Sequence, residues 1–298
     1  MGTIHKTGCV LCAQNCGLEI EVENNRIIKV KPDKSNAKSE GYVCRKGMNV
    51  AYHQHNADRL KYPLKKVNGK FERISWDEAL DEIATKLKTI IGQHGPRSFA
   101  YMGGGGQGCH FEVPFGVRLM RGLGSQYQYS ALGQEFAGAF WVIGRTHGKQ
   151  YLHDGPDVDH TDVLLVIGWN GMQSHQIPQA PRKLQRISKD KDKVLIVVDP
   201  RISETAKLAD IHLRIRPGTD SLLLRSLIAI ILKEGWDNKD YLATRTSGFD
   251  AVKSYFKNFD VRAALKVCEL DFDTVREVAR LYATRKSSLR YDLGLFMG

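Results

Sequence analysis

The sequence predicts an α/β protein in which a small β-rich segment precedes a larger part built on a buried parallel sheet. Val163–Ile167 and Val194–Val198 are almost continuous apolar runs, which is typical of parallel strands buried on both faces. Residues 18–22 and 27–30 instead alternate apolar and polar side chains around two asparagines, the pattern of a β-hairpin with one exposed face. A small sheet is therefore expected near the amino end and a larger one in the second half.

The composition is that of a soluble globular protein. Of 298 residues, 42% are hydrophobic and 26% are charged, which excludes a disordered chain, a collagen and a small disulfide-rich scaffold. No apolar run is long enough to cross a bilayer and the amino end lacks a secretory signal pattern, so we expect a cytoplasmic protein without membrane insertion. The 44 Lys and Arg outnumber the 33 Asp and Glu, which gives a net charge of +11 and favours an anionic partner. The basic residues mostly alternate with acids, so a phosphate-rich cofactor is favoured over nucleic acid.

Between the two sheets the sequence predicts helices and one short strand. Ser75 and Glu78 form a capping-box pattern, and apolar residues then recur at helical spacing as far as Ile91. This pattern predicts an amphipathic helix packed on a core. Residues 99–102 have a strand pattern and run into a glycine-rich loop at 103–108. The remaining predictions for this part are a loop-rich connection over 51–70 and helices over 115–123 and 132–142.

Beyond residue 162 helical patterns alternate with short apolar strands, which indicates crossover units and a parallel sheet. The predicted elements, besides the two apolar strands, are a helix over 179–189, a strand over 211–215, helices over 221–233, 250–255, 261–266 and 272–284, and a last strand over 288–291.

Four of the six cysteines lie within the first 44 residues, in the pattern Cys9-x2-Cys12-x3-Cys16-x27-Cys44. Four thiolates suit either a [4Fe–4S] cluster or a tetrahedral zinc ion. Zinc sites usually use two C-x2-C pairs, so one such pair with a distant fourth cysteine favours the cluster. Lys46, two residues after the last of these cysteines, is expected beside that ligand.

The ends of the apolar strands carry polar and glycine residues. The carboxyl edge of a parallel sheet is where α/β folds bind ligands, and glycine lets a ligand approach the backbone closely. Carboxylates at this edge can accept hydrogen bonds from a purine or a ribose. An alternative for Asp220 is that it serves as the N-cap of the following helix. The residues in question are Gly168, Asn170, Asp199, Arg201, Gly218 and Asp220.

Taken together, the cysteine pattern and a series of later motifs resemble the molybdopterin oxidoreductases. These are the bis(molybdopterin guanine dinucleotide) enzymes of the dimethyl sulfoxide reductase superfamily, which contain molybdenum or tungsten. The resemblance covers the whole chain, and the motifs occur in the order found in that family. They are residues 44–47 (CRKG), 75–79 (SWDEA), 168–170 (GWN), 199–201 (DPR) and 216–220 (RPGTD).

The resemblance implies roles for particular residues. The four clustered cysteines match the ligands of a [4Fe–4S] cluster, and Lys46 matches a lysine that conducts electrons between the cluster and the pterin. Gly104 and Gly106 belong to a loop similar to the one that approaches the pterin. The residues that match a guanine dinucleotide site in a Rossmann-like domain are Gly168, Asn170, Asp199, Arg201, Gly218 and Asp220.

The chain departs from the family pattern at the position that often ligates the metal. In the family, that position lies on a loop ahead of a helix that carries an Ala-Gly pair. Counting back from Ala137 and Gly138 places it at Ala131, and alanine cannot ligate a metal. Either Ser130 substitutes through a shift in register or the metal takes no protein ligand there. Leu132 stands where formate dehydrogenases carry a histidine, so formate oxidation is disfavoured. Cys109 and His110 mimic such a ligand pair but lie in the preceding glycine loop.

The resemblance also implies a domain organisation and partners. We predict a cluster domain over 1–58, a partial α/β domain over 59–126 and a Rossmann-like domain over 127–298. The chain is then the N-terminal portion of an oxidoreductase that acts on a small-molecule substrate, with an electron-transfer subunit or the remaining C-terminal part of the enzyme as its partner. The alternative function is a non-catalytic iron–sulfur electron-transfer or cofactor-binding module.

Overall fold

A three-stranded antiparallel sheet begins the chain in the computed structural model, which describes residues 2–12, 14–103, 112–150, 152, 155–175 and 177–296. Its strands are β1 (Thr3–Gly8), β2 (Gly17–Glu23) and β3 (Arg26–Pro32), in the order β1-β2-β3. The predicted hairpin of β2 and β3 is confirmed, and both residues of its turn, Asn24 and Asn25, have positive φ. The sequence reasoning missed β1, which pairs with β2 along its whole length.

The predicted loop-rich connection is wrong for part of its length. It contains α2 (Val50–His55), which follows α1 (Arg45–Met48), and the hairpin of β4 (Leu64–Val67) and β5 (Lys70–Arg73). The hairpin turns at Asn68 and Gly69, both with positive φ. This dipeptide is a strong signal for a two-residue hairpin turn, and it could have predicted the element.

The helix α3 (Trp76–His94) begins as predicted, because the Ser75 Oγ accepts a hydrogen bond of 3.1 Å from the Glu78 amide. Its packing differs from the prediction. Ala79 is the one buried residue of α3, while Leu80 and Ile83 are 57% and 55% exposed. The periodicity identifies the apolar face correctly, but the described residues do not cover that face.

A small parallel unit follows α3. The strands β6 (Ala100–Met102) and β7 (Tyr127–Tyr129) pair in parallel, and α4 (Glu112–Gly122) lies between them in the chain. The single helix predicted over 132–142 is instead two helices, α5 (Leu132–Glu135) and α6 (Ala137–His147). The break falls at Phe136, whose backbone is not helical (φ −123°, ψ 1°).

The second half contains the predicted parallel sheet. Its strands β8 (Val163–Ile167), β9 (Val194–Val198), β10 (Ile211–Leu213) and β11 (Ser287–Tyr291) run in the order β10-β9-β8-β11, each parallel to its neighbours. Strand β10 ends two residues before the predicted 215. The helices are α7 (Gly171–Ser174), α8 (Ala180–Lys189), α9 (Asp220–Glu234), α10 (Lys239–Arg245), α11 (Phe249–Lys257), α12 (Val261–Cys268), α13 (Phe272–Thr284) and α14 (Leu293–Phe296).

Both faces of this sheet are buried, as the continuous apolar runs predict. On β8, Val163, Leu165 and Ile167 pack into a core with α9, α12 and α13. The alternate residues Leu164 and Val166 pack into a second core with α8. The α/β prediction is therefore confirmed in its main feature, a parallel sheet with helices on both sides.

The chain divides into two compact units, residues 1–134 and 135–298. The three predicted domains, with boundaries after residues 58 and 126, remain a prediction. None of the helices in the described parts of the chain combines the length and apolar character of a membrane span.

Candidate functional site

Three of the clustered cysteines lie on the closed loop that joins β1 to β2. The strands end at the paired residues Gly8 and Gly17, and the Cys9 amide donates a hydrogen bond of 2.8 Å to the Cys16 carbonyl. Asn15, with a φ of 44°, donates from its side chain to the Cys9 carbonyl at 3.1 Å. These bonds hold Cys9, Cys12 and Cys16 within one tight loop, as the spacing predicts.

The fourth cysteine reaches this loop because the segment after β3 folds back on Gly17. The Gly17 amide donates to the Ser39 Oγ at 3.0 Å, and that hydroxyl donates to the Asn36 Oδ1 at 3.0 Å. Cys44 is the N-cap residue of α1. A Cβ added to Gly47 would lie 3.3 Å from the Cys9 Sγ, so α1 packs directly against the cysteine loop.

The thiols of this group influence one another electrostatically. Burial raises the pKa of Cys9 and of Cys16 above the ordinary value, and the neighbouring thiols raise both further. The positive charge of Lys46 acts in the opposite direction and lowers the pKa of Cys9. Four thiolates at this site therefore need bound cations to balance their charge, which is what an iron–sulfur cluster supplies.

The arrangement differs from a site for one metal ion. Within the parts of the chain that the structure describes, no three His, Cys, Asp or Glu side chains are grouped so that they could hold a single ion. A cluster binds differently, because each cysteine ligates a separate iron atom and the sulfurs surround a larger core.

Gly103, the first residue of the glycine loop, and Ser130 lie near the ends of the small parallel pair. The Gly103 amide donates to the Tyr129 carbonyl at 3.1 Å, so the start of the glycine loop adjoins the carboxyl end of β7. Ser130 follows at once, and its Oγ accepts a hydrogen bond of 3.2 Å from the Leu132 amide. The other predicted residues of this region, Gly104, Gly106, Cys109 and His110, lie outside the described residues.

At the carboxyl end of β8, Gly168 has a φ of 63° and lies against the C-terminal segment. The Gly294 amide donates to its carbonyl at 3.1 Å. A Cβ added to Gly168 would lie 2.5 Å from the Leu295 backbone nitrogen, so both the conformation and the contact require glycine.

Asn170 joins two neighbouring loops at this edge of the sheet. Its Nδ2 donates to the Glu204 Oε2 at 2.6 Å, and its Oδ1 accepts from the Thr205 Oγ1 at 2.8 Å. The bond from Asn170 lowers the pKa of Glu204 below the usual range. Asn170 therefore fixes the segment after β9 relative to the end of β8. The sequence reasoning missed Glu204.

Asp199 and Arg201 lie in the turn that follows β9. The Asp199 Oδ1 accepts a hydrogen bond of 2.9 Å from the Arg201 amide, which closes the turn. The Arg201 guanidinium is 3.9 Å from the Glu204 carboxylate and largely exposed. The structure thus brings Asn170, Asp199 and Arg201 to one edge, as predicted from the strand ends.

The loop after β10 brings the last predicted pair to the start of α9. Asp220 is the first residue of that helix and Thr219 is its N-cap, so the alternative in which Asp220 is the N-cap is wrong. Gly218 precedes them with a φ of 77°. Burial raises the pKa of Asp220 above its ordinary value.

Two buried donors at the same edge were not singled out from the sequence. Trp169 is 2% exposed, and the Arg290 guanidinium lies 5.2 Å from its ring centre and 2.7 Å from the Asp292 carboxylate. Among the described residues, the Trp169 Nε1 and the Arg290 Nε are buried and have no hydrogen-bond partner. Unpaired buried donors are costly, so they fit an edge that receives a polar ligand. An arginine in a strand of a buried sheet is the sequence signal that could have indicated this.

Comparison with known sequences identifies the two parts. Residues 3–56 match the "Molybdopterin oxidoreductase Fe4S4 domain", and residues 59–270 match the "Molybdopterin oxidoreductase" family. The chain belongs to the molybdopterin oxidoreductase family. The resemblance inferred from the motifs is confirmed, and so is the prediction of an enzyme family. The match also confirms the predicted cofactors, a [4Fe–4S] cluster and bis-molybdopterin with molybdenum or tungsten. That the four cysteines are the ligands of this cluster remains a prediction.

Similar family members differ in their reactions. The F420-dependent formate dehydrogenase subunit alpha of Methanocaldococcus jannaschii is 30% identical over 98% of this chain and 42% of its own length. A nitrate reductase of Symbiobacterium thermophilum is 30% identical over 95% of this chain and 39% of its own. The solved structure of acetylene hydratase from Pelobacter acetylenicus has a TM-score of 0.80 and 29% identity, and the match covers 98% of this chain and 40% of that one.

The chain therefore spans about two fifths of the length of these relatives. The residues described above fit the family cofactors in two respects. Four thiols from two segments lie close enough to influence one another electrostatically, with Cys9 packed against Gly47, and unpaired donors lie at the carboxyl edge of the large sheet.

Proposed function

We propose that this chain forms the N-terminal, cluster-bearing and dinucleotide-binding part of a molybdenum or tungsten oxidoreductase with bis(molybdopterin guanine dinucleotide). The observation that carries the proposal is the meeting of the cysteine loop with α1, where Gly47 lies against Cys9. When bound, the cofactors supply two-electron redox chemistry at the metal and single-electron transfer through the cluster. The small-molecule substrate and its reaction are part of the proposal.

The four cysteines would each hold one iron of the cluster. The loop hydrogen bonds between Cys9, Asn15 and Cys16 fix three ligands before the cluster binds. Lys46 lies on the first turn of α1, two residues after the fourth ligand, and is exposed. Its ammonium group would stabilise negative charge on the cluster and lie between the cluster and the pterin.

The carboxyl edge of the large sheet would hold a guanine dinucleotide. Gly168 and Gly218 would let the ligand approach the backbone, and Arg201 is exposed and free to bind a phosphate in place of its long contact with Glu204. Both polar atoms of the Asn170 side chain are already hydrogen-bonded, to Glu204 and to Thr205. Its role would therefore be to fix the loops of this edge rather than to contact the ligand. Asp199 and Asp220 would accept hydrogen bonds from the base or the ribose.

The metal would bind near the carboxyl ends of β6 and β7. Gly103 and Ser130 adjoin there. Gly104 and Gly106, which follow Gly103 in the sequence, are proposed to approach the pterin. Ser130 is the candidate protein ligand, and Ala131 leaves the alternative of a metal without one. A serine Oγ at the metal would have to give up its bond from the Leu132 amide.

The remaining part of the enzyme would cover the apolar face of α3. Trp76, Leu80 and Ile83 lie on one face of that helix and are all more than half exposed. An apolar face of this size normally marks an interface. The matched portion is only about two fifths of the relatives' length, so a C-terminal part is the proposed partner for this face, together with an electron-transfer subunit. A cytoplasmic location also remains a proposal.

The test is cofactor analysis of the protein produced anaerobically with its C-terminal part. We expect about four iron atoms for each chain, molybdenum or tungsten, and a paramagnetic signal after reduction with dithionite. The variant Lys46→Ala should keep the iron and slow the reduction of the cluster by substrate, while Arg45→Ala, its exposed neighbour, should not. Iron content without either heavy metal in the complete protein would contradict the proposal.

One observation favours a second candidate, a non-catalytic iron–sulfur module. The chain covers only about two fifths of its relatives. The experiment favours the module if this chain alone binds iron, accepts and donates electrons, and takes up no molybdenum, no tungsten and no dinucleotide.

A further inference from the structure

A cleft of about 520 Å³ lies between the end of α9 and α11, away from every residue assigned above. Its floor is apolar and is formed by Leu232 and Phe256, of which Phe256 is 8% exposed. This volume lies within the range typical of small-molecule sites, roughly 300 to 1,000 Å³. The floor can therefore contact the hydrocarbon part of a small ligand.

The rim of the cleft is predominantly basic. It carries Lys233, Lys253 and Lys257 against a single carboxylate, Asp250. The Lys233 ammonium is fixed by a hydrogen bond of 2.8 Å to the Phe259 carbonyl. Lys253 and Lys257 are one helical turn apart on α11, and neither contacts a carboxylate within the described residues. Two unpaired ammonium groups thus stand above an apolar floor.

The cleft is separate from the proposed dinucleotide edge. Asp220 begins α9 at the carboxyl end of β10, and Lys233 is thirteen residues further along the same helix. At a rise of 1.5 Å per residue this distance is about 20 Å, so the cleft lies toward the opposite end of the sheet.

From this combination we infer that the cleft binds a small organic anion with a short apolar body, such as a medium-chain carboxylate. The carboxylate lies between Lys253 and Lys257, and the hydrocarbon part lies on Leu232 and Phe256. A second copy of this chain is disfavoured as the occupant, because two chains with a net charge of +11 repel each other. The inference does not depend on the proposed redox function.

Isothermal titration of this chain with octanoate, 1-octanol and inorganic phosphate tests the inference. We expect octanoate to bind most tightly of the three, because it alone satisfies both the floor and the rim. The double variant Lys253→Glu and Lys257→Glu should weaken octanoate binding at least tenfold. Leu232→Ala should weaken octanoate binding several-fold and leave phosphate binding unchanged. Because Leu232 is half-buried, this variant tests the apolar floor of the cleft.

The matched control reverses two exposed lysines outside the cleft, Lys239→Glu and Lys266→Glu. It makes the same change in net charge and should leave octanoate binding within about twofold. Equal weakening by both double variants would overturn the inference, since it would show general charge attraction. Phosphate binding as tight as octanoate binding would also overturn it. So would unchanged octanoate binding in the double variant Lys253→Glu and Lys257→Glu, provided that this variant unfolds at the wild-type temperature.

Discussion

Gly47 determines how closely α1 can approach the cysteine loop. A Cβ at this position would lie 2.6 Å from the Val43 Cγ1 and 3.3 Å from the Cys9 Sγ. We therefore expect Gly47→Ala to push α1 away and displace Cys44 relative to the other three cysteines. The measurable result is at least a twofold loss of iron for each chain after anaerobic reconstitution, with a weaker signal from the reduced cluster.

The control for this change is Gly92→Ala on α3. No atom lies within 4 Å of the Cβ that it would add. Alanine is favoured over glycine in a helix by roughly 0.5 to 1 kcal/mol, so this variant should be slightly more stable and keep its iron. Full iron content in Gly47→Ala would show that iron binding does not require α1 to lie so close to the cysteine loop.

Glu204 makes the stability of the chain depend on pH. Its hydrogen bond from Asn170 lowers the pKa in the folded protein below the ordinary 4.5. A lowered folded pKa means that the carboxylate stabilises the protein above pH 4.5, and that this contribution is lost as the pH falls through the folded value. We expect Glu204→Gln to lower the unfolding temperature at pH 7 and to match the wild type at a pH below the folded pKa.

The comparison for this experiment is Glu269→Gln, at an exposed carboxylate with no hydrogen-bond or ion-pair partner among the described residues. Because this change removes no hydrogen bond or ion pair among the described residues, the unfolding temperature of Glu269→Gln at pH 7 should lie close to that of the wild type. A difference between Glu204→Gln and the wild type that stays constant from pH 7 into the acid range would mean that the charge of Glu204 contributes nothing.

At the scale of elements, the sequence predicts best where burial and local pattern agree. The strands β8 and β9 follow their predicted bounds, because a continuous apolar run buried on both faces has one clear interpretation. The grouping of Cys9, Cys12 and Cys16 on one loop, and of Asn170, Asp199 and Arg201 at one edge of the sheet, follows from spacing and strand order in the same way, while their roles as ligands remain predictions. The sequence reasoning missed β1 because Thr3–Gly8 is exposed along its length and carries little apolar alternation.

The packing of α3 could not be predicted from the sequence. Periodicity reports which face of a helix is apolar, but whether that face is covered depends on residues distant in the chain. Similarly, the role of Asn170 depends on Glu204 and Thr205, which are more than thirty residues away and meet it only in the folded sheet. Long-range contacts of this kind leave no local signal.

The exposed face of α3 leads to a prediction for the helix itself. Leu80→Gln and Ile83→Gln together should change the free energy of unfolding of this chain by about 0.5 kcal/mol or less for each site, as for other surface positions. Because they remove apolar surface, they should reduce the binding of a hydrophobic dye to this chain. If the proposed C-terminal part covers this face, the same changes should weaken its association with this chain.

Leu223→Gln on α9 is the contrasting variant, because Leu223 is fully buried in the core of the large sheet. It places an unpaired amide in an apolar core and should destabilise the chain by several kcal/mol. If Leu80→Gln and Ile83→Gln destabilise this chain as strongly as Leu223→Gln, the face of α3 is covered within the chain itself.

At the scale of the whole molecule, the two units have different sources of stability. Residues 135–298 contain the two apolar cores on either side of the parallel sheet. The first unit has few buried residues around its cysteine loop, among them Cys9 and Leu18, so a large share of its stability should come from the cluster. Loss of the metal and loss of core packing should therefore affect different parts of the protein.

Two variants separate these contributions in a calorimetric scan of the reconstituted chain. Cys16→Ser removes one ligand, so it should lower the iron content and the transition of the first unit and leave that of the second unit unchanged. Leu223→Ala creates a cavity in the second unit and should cost about 2 to 5 kcal/mol there, with normal iron content. Hydrogen exchange followed by fragment analysis assigns each transition to its residues. If Cys16→Ser lowered both transitions equally, the cluster would stabilise the chain as a single cooperative body, and separate stability of the two units would be excluded.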